Sequence, residues 1–145
     1  MSTLHAVARY LVTQGLGMYD PAGGVQSGDW SVFLEAMPDA PDRAIALYQY
    51  PGEPPDPLLP FDEIRIQVSV RGGEDPTVSR DRAQAIYGQM HGLGPLALPT
   101  GLWLQLCLAV QSGAVALGTD GNGRHTHVVN LNLSITNPTA HRPAL

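Results

Sequence analysis

The chain has 145 residues, 43% of them hydrophobic and 14% charged, with a formal net charge of −5. That is enough chain for one core over residues 1–145, too apolar for a disordered polypeptide, and poorer in charge than a solitary soluble domain usually is. All eight basic residues are arginines scattered from Arg9 to Arg142, which excludes the concentrated cationic footprint that tight nucleic-acid binding needs.

Residues 1–14 lack the basic start and apolar run of a secretion signal, and no segment nears the roughly 20 apolar residues of a membrane span. The expectation is a chain made and kept in a cytoplasm unless a particle carries it out. Ser2 or Thr3 can cap a first helix, in which Leu4, Val7, Ala8, Leu11 and Val12 recur at three- and four-residue spacing until Gly15 and Gly17. Glycines and Asp20-Pro21 make 15–29 a long exposed loop, closed by Trp30. Residues 31–37 and 43–50 are strand candidates, and Pro38-Asp39-Ala40-Pro41-Asp42 between them predicts a hairpin with a broad connection. Five prolines in 51–60 deny that stretch a regular ladder and make it an extended arm, at whose far end Leu58, Leu59 and Phe61 need cover.

Over 63–71, Ile64, Ile66, Val68 and Val70 alternate with polar residues, the pattern of a strand with one buried face. Asp75 and Pro76 then open a second helix with Val78, Ala83, Ile86, Tyr87 and Met90 on its apolar side and Gly92 at its end. Leu102, Leu104, Leu106 and Leu108 alternate with Trp103, Gln105, Cys107 and Ala109, and the run through Leu117 holds one or two strands. The lone Cys107 allows no internal disulfide and reads as a small buried hydrophobe. After the turn Asp120-Gly121-Asn122-Gly123, Val129, Leu131, Leu133 and Ile135 mark another half-buried strand. Residues 137–145 read as a tail. The predicted fold is α+β: a mostly antiparallel or mixed sheet with two helices packed on one face, plus long exposed loops.

Chemistry is sparse. Without lysine a Walker motif is impossible, and no serine-hydrolase elbow, H-E-x-x-H or C-x-x-C pair occurs. His125 and His127, two apart on a strand, could share a metal with His91; solvated strand histidines explain them more simply. Asp62-Glu63 and Glu74-Asp75 flank a strand and cap a helix. No catalytic residue, cofactor or resident metal is expected, and the chain is read as a non-enzyme. Each tryptophan, Trp30 or Trp103, is either core or a contact residue.

Four stretches together resemble a known family: 32–52 with its Pro-Asp-Ala-Pro-Asp turn and Ile-Ala-Leu-Tyr-Gln-Tyr-Pro-Gly strand; 66–73 ending Val-Arg-Gly-Gly; Arg82-Ala83-Gln84-Ala85-Ile86-Tyr87 running into His91-Gly92-Leu93; and Leu117-Gly118 through Asp120, Asn122-Gly123-Arg124 and Asn130. In this order and spacing they are similar to the tail terminator, or minor capsid, proteins of long-tailed (siphovirus) phages of actinobacteria. The resemblance implies a structural virion protein at the neck, assembled in the host cytoplasm. It implies a ring, usually of six copies, that caps the tail tube and meets the head-completion, or stopper, proteins on the other side. DNA passes through its centre without specific binding, and no active site is implied. Loops and termini make the contacts in such rings, and the candidates here are Trp30, Leu58, Leu59, Phe61 and Arg142. The alternatives are a head-to-tail adaptor or stopper of the same neck, a small metal-dependent or ligand-binding protein built on the three histidines, and a monomeric binding module.

Overall fold

A computed structural model describes residues 2–22 and 30–145. Helix α1 (Thr3–Thr13) begins where the Ser2 side chain accepts the His5 N–H, and it ends in a left-handed Gly15. There the Gly15 and Leu16 N–H groups reach back to the Val12 and Leu11 carbonyls, which satisfies the last orphan acceptors of the helix. Helix α2 (Pro76–Met90) opens on Asp75, which accepts the Thr77 N–H at 2.9 Å, with Pro76 at the first position where no donor is needed.

Among the described residues, eight strands form one mixed sheet: β1 (Met18–Tyr19), β2 (Ser31–Leu34), β3 (Ala44–Pro51), β4 (Phe61–Arg71), β5 (Leu96–Ala97), β6 (Trp103–Ala109), β7 (Val115–Thr119) and β8 (His125–Thr136). The order across the sheet is β1-β2-β3-β4-β8-β6-β5, with β7 beside β8 next to β6. The fold is therefore α+β.

The antiparallel pair β4–β8 forms the centre. Its register sets Ile64, Ile66 and Val68 opposite Leu133, Leu131 and Val129. These residues join buried residues of both helices in one apolar cluster. On α1 that cluster takes Leu4, Val7 and Leu11; on α2 it takes Ala83, Ile86 and Met90.

Two expectations are corrected. Strands β2 and β3 do not form a hairpin. They run parallel, with Ser31 beside Ala44 and Leu34 beside Leu47. Because β2 is only four residues long, the nine residues of 35–43 suffice to carry the chain back along it. The leucine row of 102–108 is also split. A β-bulge between Leu104 and Leu106 puts Leu104 and Cys107 in the core and turns Leu106 and Leu108 to the opposite face, level with Ser134 and Asn132. Gly94 is required beside this bulge, because any Cβ there would collide with the Gln105 carbonyl.

Of the predicted loop 15–29, residues 15–22 form a helix-ending turn and β1, while 23–29 lie outside the described residues. The tail is not loose throughout: Thr139 and Arg142 bridge each other.

Candidate functional site

The residues singled out for chemistry are each taken up by structure. His127 lies buried between β8 and α2, its Nδ1 2.7 Å from the Ser79 hydroxyl. Burial, then the charges of Arg80 and His125, push its pKa below the ordinary histidine range. His91 ends α2, where its Nδ1 accepts the Ala109 N–H at 3.0 Å and its ring stacks on Tyr87. His125 starts β8 near the turn. The three are not gathered: among the described residues no group of three or more His, Cys, Asp or Glu side chains is placed to hold a metal ion. Cys107 is buried, which pushes its thiol up to about 12 and leaves it protonated at neutral pH. Asp75 is the α2 cap, Asp62 pairs with Arg142, and Glu63 accepts from Ser134.

Three buried arginines, Arg71, Arg124 and Arg142, organise the loops. Arg124 reaches Asp120 at 2.8 Å, Asp39 at 3.2 Å and Asp42 at 3.3 Å. Arg71 donates to the Pro41 carbonyl at 2.6 Å and to that of Asp42. Together they clamp the connection between β2 and β3, two guanidinium groups held by carbonyl and carboxylate partners. Sequence reasoning missed this pair. The available signal was the arginine closing each strand alternation, Arg71 after Val70 and Arg124 before His125.

Arg142 does the same for the arm. Its guanidinium donates to the Leu59 carbonyl at 2.9 Å, to the Phe61 carbonyl at 3.2 Å and to Asp62 at 2.9 Å. The Asn137 N–H adds a bond to the Pro60 carbonyl. The C-terminal segment thus fastens the base of the 52–60 arm to β4, and the arm itself stays in solvent: Leu58 is 78% exposed, with Leu59 and Phe61 also uncovered.

Trp30 is different. It is buried by its own chain, with the guanidinium carbons of Arg43 and Arg82 5.8 and 5.2 Å from its ring centre. Trp103 is exposed instead, on the same side as Leu106 and Leu108. Beside them, the outward residues of β4 and β8 form an amide ladder in which Gln67 donates to Asn130 and Asn130 to Gln111, each at 3.2 Å.

The arrangement is one of surfaces: a fastened arm with bare leucines, a half-apolar sheet face and loops held rigid by buried arginines. A family described as bacteriophage tail terminator protein matches over residues 10–137, and the chain belongs to that family. It is accordingly a structural component of the phage tail that associates with other proteins of the virion. No curated protein matches the sequence.

Proposed function

We propose that the chain is the subunit of a ring that closes the finished tail tube and joins it to the head-completion proteins at the neck, with DNA passing through the centre. The family match over 10–137 carries this reading. The physics of the chain supports it. A closed ring needs two different, complementary patches on every copy, and an arm that exposes Leu58, Leu59 and Phe61 supplies apolar area that its own core does not use. In this reading both helices pack on one sheet face, and the opposite face, with Trp103, Leu106 and Leu108, is left for a neighbour. A ring of six copies contacts the tail tube on one side and the stopper on the other through its loops and termini. The protein acts by contact, without catalysis.

The net charge of −5 suits a channel through which DNA slides, since clustered arginines would hold the phosphates by counterion release. In this proposal the host is an actinobacterium, the phage long-tailed, and assembly takes place in the host cytoplasm. The test is a phage whose gene for this chain is disrupted. Tails of uncontrolled length that fail to join heads are expected; normal tails attached to heads would overturn the proposal.

A further inference from the structure

Tyr50, Arg65, Asn132 and Leu108 lie in register across β3, β4, β8 and β6. At about 4.8 Å per strand the ends of this row stand roughly 14 Å apart. Between them runs a trench of about 530 Å³, walled by Tyr50 on one side and Val110 on the other, with Gln67, Asn130 and Asn132 in its floor. That is room for part of a neighbour. Both walls are hydrophobic and exposed, whereas the floor is a set of amides.

One of these amides is unsatisfied. Gln67 bonds Asn130, but the Asn132 Oδ1 is buried without a partner among the described residues. Asn132 lines the trench, so its amide, with two N–H donors, is left to bond whatever enters.

The 52–60 arm has the opposite need. Four of its nine residues are proline and have no N–H, and its carbonyls from Pro54 to Leu58 take no partner among the described residues. Asp56 accepts the Leu58 N–H at 2.7 Å, and this local turn sets Leu58 out at 78% exposure. A proline-rich backbone with spare acceptors is bound in general by an aromatic wall and side-chain donors. The arm does not fill its own trench. It leaves from Pro51, and there Glu53 pairs with Arg65 at 3.5 Å. Arg142 then draws the far half back to the start of β4, and Leu58 stays bare.

We infer that the arm of one copy docks in the trench of the next, with Leu58 between Tyr50 and Val110 and the arm's carbonyls accepting from the Asn132 amide. The inference rests on the ring reading above and names its repeating contact. Because arm and trench are different surfaces, the contact runs head to tail and can close on itself.

The test is the full chain carrying Leu58→Cys together with Val110→Cys, treated with a mild oxidant. The buried, protonated Cys107 does not compete. The expected result is a ladder of covalent multimers in the double variant, with nothing larger than a dimer in either single variant. Oligomers in sedimentation that give no ladder, or a disulfide closed within one chain, would overturn this docking and leave the ring standing. A chain that stays monomeric at every concentration would overturn both. Val110→Asp is a second arm of the test: the exposed site leaves the melting temperature unchanged, and the concentration for half-assembly is expected to rise at least tenfold. An unchanged assembly curve would contradict the docking.

Discussion

Two neighbouring stretches of the molecule spend their apolar residues in opposite ways. At the centre of the sheet every inward residue of β4 and β8 is buried, with Ile66, Val68, Val129, Leu131 and Leu133 at 1% exposure or less. A few residues away, where β3 and β4 join, Leu58, Leu59 and Phe61 face solvent. Both stretches look hydrophobic in sequence, yet only the first contributes to folding. The difference teaches that the arm is held in place by polar fastening from Arg142, while its apolar side chains remain uncommitted.

The strongest way to break that contrast is at the centre. Leu131→Ala removes a fully buried side chain and should cost about 2–5 kcal/mol in chemical denaturation. Next is the fastening. Arg142→Ala deletes three charge-assisted bonds at the arm's base, with an expected loss of about 1.5–3 kcal/mol and faster proteolysis within 52–60.

A pH titration probes the other loop clamp. Hydrogen bonding from the Arg124 N–H, followed by that from Asn122 and the Arg124 side chain, holds the Asp120 carboxyl below the usual carboxylate range. A lowered folded pKa means the stabilisation is complete above the unfolded value near 4 and is lost as pH falls through the folded one. The melting temperature should therefore drop below about pH 4, and more shallowly in Asp120→Asn. Smallest in stability is the arm itself: Leu58→Asp should change unfolding by less than about 0.5 kcal/mol.

The central strands were legible because alternation over 63–71 and 129–135 has one physical reading, a sheet with a single buried face. Both helices were legible from their caps, Ser2, Asp75 and Pro76. The parallel run of β2 and β3 was not, since Pro38 to Asp42 suits a turn as well as an extended return, and the buried arginines that decide between them come from far along the chain. The bulge in β6 was hidden for the same reason: Leu102 to Leu108 alternate without a break in sequence, and only the approach of Gly94 shows where the register slips. Of the candidate contact residues, Leu58 and Leu59 were readable as apolar residues in a segment that cannot pair, and Phe61 as the apolar residue that follows it. Trp30 and Arg142 were not, because burial by a chain's own loops leaves no local mark.

The most direct measurement is sedimentation velocity of the native chain and of Leu58→Asp across a range of concentrations. The account expects a closed oligomer for the native chain and a folded monomer, with unchanged melting, for the variant. A variant that assembles as well as the native chain would contradict the claim that the bare arm exists for a neighbour.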